Sequence, residues 1–91
     1  MNPRGPLHIA LDYDGTYTRD PQLWDSFIVQ AQARGHIVTV VTMRHASEVI
    51  PLQPPCEVIY TGRKAKQGFY LADIWIDDQP LLISNDHWSI T

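Results

Sequence analysis

Four short apolar runs constrain the fold of this chain more than any other feature of its sequence. The runs cover residues 7–11 (LHIAL), 37–41 (IVTVV), 57–60 (EVIY) and 74–76 (IWI), are rich in Ile and Val, and end in polar residues. Runs of this length and composition are typical of buried strands in a parallel sheet. Parallel strands need crossover connections, so we expect helical segments between them.

The segment between the first two runs predicts the longest helix. Asp20 is a suitable N-cap, Pro21 suits the first turn, apolar residues recur on one face, and Gly35 ends the pattern. Weaker patterns predict a short helix at residues 46–50, before Pro51, and another at residues 64–72. Residues 81–84 are expected to form one more strand.

The order βαβαβαβ predicts an α/β fold: a Rossmann-like three-layer αβα sandwich around a small, mostly parallel sheet. Ninety-one residues with 44% hydrophobic side chains are enough for one domain, residues 1–91, with a small core. Association would help so small a core, and a homodimer is therefore one expectation.

Charge and cysteine usage exclude some classes of protein. The net charge of −3 argues against a broad nucleic-acid-binding surface. The single cysteine, Cys56, rules out an internal disulfide, and the Cys and His spacing of a zinc site is missing. The apolar run near the N-terminus is too short for a signal peptide or a membrane span, so we expect a cytoplasmic protein without membrane contact.

Polar residues follow each predicted strand, and the carboxyl ends of parallel strands meet at one edge of a sheet, where such folds bind ligands. The residues at these ends are Asp12 and Asp14, then Thr42, then Lys64 and Lys66, and finally Asp77 and Asp78. Any one of these groups alone is weak evidence for a site, because Asp is common in turns.

Clustered carboxylates repel one another unless a cation neutralises them, and their hard oxygen ligands favour Mg²⁺. Magnesium commonly bridges carboxylates to a phosphate, which a lysine, the Thr42 hydroxyl and backbone N–H groups would also contact. Asp12 can then attack phosphorus, while Asp14 acts as general acid and then as general base. Gly15 lets the backbone turn tightly after it leaves the strand.

At these residues the sequence resembles the haloacid-dehalogenase-like (HAD) superfamily of phosphohydrolases. IALDYDGTYT is similar to its first motif, VVTMR to its second, RKAK to the segment with its conserved lysine, and IWIDDQP to its acidic fourth motif. The motifs occur in family order along nearly the whole chain. The resemblance implies a HAD-like fold and a Mg²⁺-dependent phosphatase that works through an aspartyl phosphate.

The resemblance also implies a role for each matched residue. Asp12 would be the nucleophile and a metal ligand, and Asp14 the acid/base whose backbone carbonyl also binds the metal. Asp78 would bind Mg²⁺ with support from Asp77, and Thr42 would bind the transferring phosphoryl group. Lys64 is preferred over Lys66 as the catalytic lysine, because it follows the third strand sooner. The expected substrate-binding residues are Gly15, Thr16, Thr42, Arg44 and Lys66.

Members of this superfamily usually carry a cap that covers the substrate, but this sequence has no room for one. Only YTRDPQ separates the first motif from the helix, and the gap between Thr42 and the third strand is also short. We therefore expect an open site that accepts a phosphorylated macromolecule or a nucleotide, with small esters as a further option. The alternatives are a non-catalytic phosphate- or metal-binding module and, less well matched, a receiver-like phosphoacceptor domain.

Overall fold

The computed structural model describes residues 5–84, which fold around a four-stranded sheet. The strands are β1 (His8–Leu11), β2 (Ile37–Thr42), β3 (Glu57–Tyr60) and β4 (Ile74–Ile76), arranged in space as β3-β2-β1-β4. All three pairings are parallel. The structure therefore confirms the four predicted strands and an α/β fold, consistent with a Rossmann-like arrangement.

The helix α1 (Pro21–Ala33) connects β1 to β2 and confirms the longest predicted helix. The Asp20 carboxylate caps its N-terminus by accepting the backbone N–H three residues further on at 3.2 Å. At the other end, the His36 N–H donates to the Ala31 carbonyl at 3.0 Å, and Gly35 has a φ of +87°. This closing turn needs a positive φ, which explains why glycine ends the helix.

The core lies between α1 and one face of the sheet. Its buried side chains come from β1, the loop after it, α1 and β2: Ile9, Leu11, Tyr13, Tyr17, Ile28, Ala31, Val38 and Val40. On the other face Ala10, Thr39 and Val41 are also buried. The Thr39 hydroxyl donates to the Tyr70 hydroxyl at 3.2 Å, so the segment between β3 and β4 contributes to the covering of this second face.

Three smaller predicted elements are wrong. Residues 46–50 form a turn rather than a helix, and residues 64–72 contain only a 3-10 helix at Lys66–Gly68. The strand predicted at residues 81–84 is replaced by a 3-10 helix at Pro80–Leu82. A segment of a few residues gains too few hydrogen bonds to offset the cost of helix nucleation, and proline favours the first position of a helical turn.

Within residues 5–84, no helix has both the length and the hydrophobicity needed to cross a lipid bilayer. The longest one, α1, contains 13 residues. A membrane-spanning helix needs about 20 predominantly apolar residues.

The parallel arrangement brings the candidate residues to one edge of the sheet. Strand β1 lies inside the sheet, with β2 on one side and β4 on the other. The segments that leave the carboxyl ends of the four strands begin at Asp12, Met43, Thr61 and Asp77. Groups that are distant along the chain can therefore meet at this edge.

Candidate functional site

Asp12 is the centre of the site, because three other groups hold its backbone and side chain. Its N–H donates to the Ile76 carbonyl at 2.9 Å, which extends the pairing of β1 with β4 by one residue. One carboxylate oxygen, Oδ1, contacts the Lys66 ammonium at 2.6 Å, and the other, Oδ2, accepts a hydrogen bond from the Thr16 hydroxyl at 3.0 Å. Only 8% of the residue is exposed, so its carboxylate is fixed in position.

The lysine of the site is Lys66, whereas position along the sequence favours Lys64. The Lys66 side chain is 2% exposed, and its ammonium lies 2.6 Å from Asp12 and 2.5 Å from Asp77. Lys64 is exposed, and its backbone carbonyl accepts the Thr61 hydroxyl at 2.7 Å. Gly62 and Arg63 have positive φ values, so the chain reverses before it returns to the sheet. The Thr-Gly pair after β3 is the sequence signal for this turn.

Asp77 and Asp78 complete an acidic cluster with Asp12. One carboxylate oxygen from each of the three residues lies within 4.8 Å of the others. Asp77 also accepts the backbone N–H of Gln79 at 2.9 Å, while Asp78 is exposed. Three carboxylates and one ammonium leave an excess of negative charge, and an all-oxygen donor set of this kind suits Mg²⁺. These residues therefore fit a divalent cation.

Burial is the main influence on the protonation of Asp12. Burial raises the pKa of its carboxyl to about 6, from an ordinary value of 3.8. The hydrogen bond and charge of Lys66 act in the opposite direction, and the nearby Asp77 charge adds to the rise. The ammonium of Lys66 alone therefore does not fully offset the cost of burying the ionised carboxylate. A cation bound beside Asp12 would favour its ionised form.

Asp14 is not part of this three-carboxylate cluster and pairs with Arg44. The Arg44 guanidinium binds both carboxylate oxygens of Asp14, through Nε and Nη2, each at 2.8 Å. The hydrogen bonds to Arg44 lower the pKa of Asp14 below its ordinary value. The side chain of Asp14 is 53% exposed, and that of Arg44 is 26% exposed. Arg44 therefore contacts a protein carboxylate, where the sequence analysis expected a substrate anion.

Tyr13 supports this pair and was missed by the sequence analysis. Its ring is fully buried, and the Arg44 guanidinium carbon lies 5.6 Å from the ring centroid. The Tyr13 hydroxyl donates to the Leu52 carbonyl at 2.9 Å and accepts the Leu52 N–H at 3.0 Å. Nothing in the sequence pattern indicates these contacts, because the motif leaves the residue between the two aspartates unspecified.

Gly15, Thr16 and Thr42 have structural contacts at the site. Gly15 has a φ of +88°, and a Cβ added there would lie 2.5 Å from Asp78 Oδ2. The Thr16 hydroxyl, besides donating to Asp12, lies 3.4 Å from Asp78 Oδ1. The Thr42 hydroxyl is buried and accepts the Arg44 N–H at 3.3 Å. Glycine thus lets the loop after β1 approach Asp78 closely, while Thr16 links the carboxylates of Asp12 and Asp78.

One small cavity brings most of these residues together. It has a volume of about 170 Å³ and is lined by Asp12, Asp14, Thr42, Arg44, Lys66, Asp77 and Asp78, among others. Gly15 and Thr16 line a neighbouring hollow, and Lys64 lines a separate groove. Pockets that enclose a whole small-molecule ligand are usually about 300–1,000 Å³. This cavity therefore suits an ion and a small anionic group rather than a complete substrate.

Comparison with protein-family models, curated proteins and solved structures finds no match for this chain.

Proposed function

We propose that the protein is a Mg²⁺-dependent phosphomonoester hydrolase of the HAD-like type, with the three-layer, capless form of that fold. The observation that supports this most is the environment of Asp12. Its buried carboxylate lies at a strand end between the Lys66 ammonium and the Thr16 hydroxyl, within 4.8 Å of carboxylate oxygens from Asp77 and Asp78. A nucleophilic carboxylate needs this kind of fixed orientation and nearby positive charge.

In the first step, an Asp12 carboxylate oxygen attacks phosphorus and forms an aspartyl phosphate. The bond between phosphorus and the ester oxygen breaks, and the leaving oxygen takes a proton from the protonated fraction of Asp14. The Arg44 contact keeps that fraction small at neutral pH, because it lowers the pKa of Asp14. Esters with good leaving groups, which need little help from an acid, should therefore react faster than alkyl esters.

In the second step, water attacks phosphorus and the bond to Asp12 breaks, which releases inorganic phosphate. Ionised Asp14 accepts the proton from that water as general base. Before the first step, Lys66 favours the ionised form of Asp12 and holds its carboxylate in place. In both steps the Lys66 ammonium stabilises negative charge around the phosphoryl group. Thr42 lines the same cavity and is the proposed phosphoryl-binding hydroxyl.

Asp12 and Asp78 are the side chains proposed to hold Mg²⁺, with Asp77 beside them and bonded to Lys66. When bound, the ion would neutralise the carboxylates and the phosphate oxygens.

The size of the small cavity supports a proposal about the rest of the substrate. A volume of about 170 Å³ accepts a phosphoryl group but not a nucleoside or a peptide. The leaving group therefore remains outside, across the open edge of the sheet. We propose a phosphorylated macromolecule or a nucleotide as substrate, because neither has to be enclosed.

The test is phosphate release from p-nitrophenyl phosphate and a panel of an alkyl phosphate, nucleotides, a phosphopeptide and a phosphorylated DNA end, with and without Mg²⁺. Asp12→Asn should reduce metal-dependent turnover about a thousandfold or more. Asp20→Asn is the matched control, since asparagine also caps a helix. No turnover by the native protein on any ester, with Mg²⁺ binding retained, would favour the non-catalytic module instead.

A further inference from the structure

The guanidinium of Arg44, which is partly buried, is held by several protein groups at this edge of the sheet. Nε and Nη2 bind Asp14 at 2.8 Å each, Nη1 donates to the Val49 carbonyl at 3.2 Å, and one face of the group lies over Tyr13. All three guanidinium nitrogens therefore already have a protein partner. A receptor for a substrate anion would be expected to keep its paired N–H groups free.

The partners of Arg44 are themselves held in place. Tyr13 is fully buried directly after Asp12, and its hydroxyl makes two hydrogen bonds to the backbone of Leu52. Arg44 thus links the loop after β2 to the loop that contains Asp12 and Asp14. An aspartate that is 53% exposed would otherwise sample several rotamers. The bidentate contact restricts it to one orientation.

We infer that Arg44 is a positioning residue, which holds the Asp14 carboxylate in the orientation required for proton transfer. The inference rests on the proposed hydrolase activity and extends it, because it assigns Arg44 to the acid/base group rather than to the substrate. Its effect is geometric. Misplacing a reacting group by about 1 Å can cost about a hundredfold in rate. Arg44 acts through the Asp14 carboxylate, and no contact between Arg44 and the phosphoryl group is proposed.

The test is a double-mutant cycle on Mg²⁺-dependent hydrolysis of p-nitrophenyl phosphate, with Asp14→Asn, Arg44→Ala and the double variant. Arg44→Ala should lower kcat about 10- to 100-fold and leave KM within about threefold. It should have no further effect in the Asp14→Asn background. Arg44→Lys keeps the charge but loses the two parallel hydrogen bonds, so it should restore less than half of the lost rate.

Two controls separate positioning from general effects. Arg34→Ala removes the same charge from the C-terminal end of α1, away from the site, and should leave kcat within about twofold of native. Circular dichroism and thermal unfolding identify any Arg44 variant that fails to fold, in which case Arg44→Lys and Arg44→Gln complete the cycle. A phosphorylated intermediate that accumulates in quenched Arg44→Ala, as mass spectrometry of the intact protein would show, supports slowed water attack.

Three results would overturn the positioning role while leaving the hydrolase proposal intact. The first is an unchanged kcat in Arg44→Ala. The second is a raised KM with an unchanged kcat, which would make Arg44 a substrate-binding residue. The third is an equal loss in the native and Asp14→Asn backgrounds, which would show that the two residues act independently. Absence of turnover in the native protein would instead overturn the hydrolase proposal, and the positioning role with it.

Discussion

At the scale of single residues, the site depends on one buried cation between two carboxylates. Lys66 is 2% exposed and contacts both Asp12 and Asp77. Breaking a buried ion pair by removing one partner is costly, because the remaining charge stays buried without compensation. Lys64, only two residues away, has no such contact with the acidic cluster. The two lysines therefore offer a matched pair of substitutions.

Lys66→Met should abolish phosphate release and destabilise the fold by about 3 kcal/mol, since it leaves two buried carboxylates without their ammonium partner. Lys64→Met should leave turnover within about threefold and the free energy of unfolding within about 0.5 kcal/mol. Urea unfolding followed by tryptophan fluorescence measures stability, and phosphate release measures activity. Equal effects of the two substitutions would contradict the assignment of Lys66 as the lysine of the site.

The raised pKa of Asp12 makes a prediction about the pH dependence of stability. The pKa is about 6 in the folded protein and 3.8 ordinarily, so the folded state binds this proton more tightly. The resulting stabilisation is complete below the unfolded pKa and is lost as the pH rises through about 6. With solvent screening at the open site, Asp12 should lower the free energy of unfolding by about 1–2 kcal/mol between about pH 5 and pH 7.5.

The measurement is urea unfolding of the protein in EDTA across this pH range, for native protein and Asp12→Asn. The substitution should remove that part of the pH dependence and make the metal-free protein more stable at neutral pH. A pH dependence that is the same in both proteins would argue against a raised pKa for Asp12.

At the scale of elements, the loops at the strand ends matter more than the strands themselves. Gly15 lets the loop after β1 approach Asp78 at the end of β4 with a positive φ. Gly35 has nearly the same φ at the end of α1, but nothing lies within 4 Å of a Cβ added there. The two glycines therefore share a backbone requirement and differ only in their surroundings.

Gly15→Ala and Gly35→Ala should each cost about 1 kcal/mol of stability from backbone strain. Only Gly15→Ala should also weaken Mg²⁺ binding, by about tenfold or more, because its Cβ displaces the Asp78 carboxylate. Isothermal titration with Mg²⁺ measures the affinity, and chemical unfolding measures the strain. Unchanged affinity in Gly15→Ala would show that Asp78 does not bind the ion.

Long or buried elements can be predicted from this sequence, whereas its short connecting segments cannot. The four strands and α1 were predicted to within a residue or two, because apolar periodicity and capping residues act locally. The short segments at residues 46–50, 64–72 and 81–84 were predicted wrongly. Short segments gain little from local propensity, so their backbone state depends more on tertiary contacts, such as the burial of Lys66.

At the scale of the whole molecule, a metal ion at the acidic cluster would couple its binding to folding. Its members directly follow β1 and β4, which are far apart in the chain and adjacent in the sheet. The unfolded chain does not assemble these ligands, so an ion that binds the folded protein stabilises it by mass action.

Mg²⁺ at about 100 times its dissociation constant should stabilise the protein by about 2.7 kcal/mol, which corresponds to a rise in Tm of roughly 10 °C or more for a domain of this size. Asp78→Asn should remove most of this rise, whereas Asp20→Asn should keep it. Thermal unfolding in EDTA and then in increasing Mg²⁺ provides the measurement. A Tm that is independent of Mg²⁺ would argue against a metal site at the cluster.

The sequence by itself determined the fold class, the four strands, the main helix with its caps and the gathering of acidic residues at one edge of the sheet. These properties follow from hydrophobic periodicity, from turn chemistry and from the rule that the carboxyl ends of parallel strands meet at one edge of the sheet. Periodicity and turn chemistry act over short distances, and the rule acts through topology. Only the tertiary structure decided that Lys66 contacts Asp12, 54 positions away, and that Arg44 binds Asp14, 30 positions away. Such contacts depend on the path of each loop in space, and a side-chain pairing across that distance leaves no periodic signal in a single sequence.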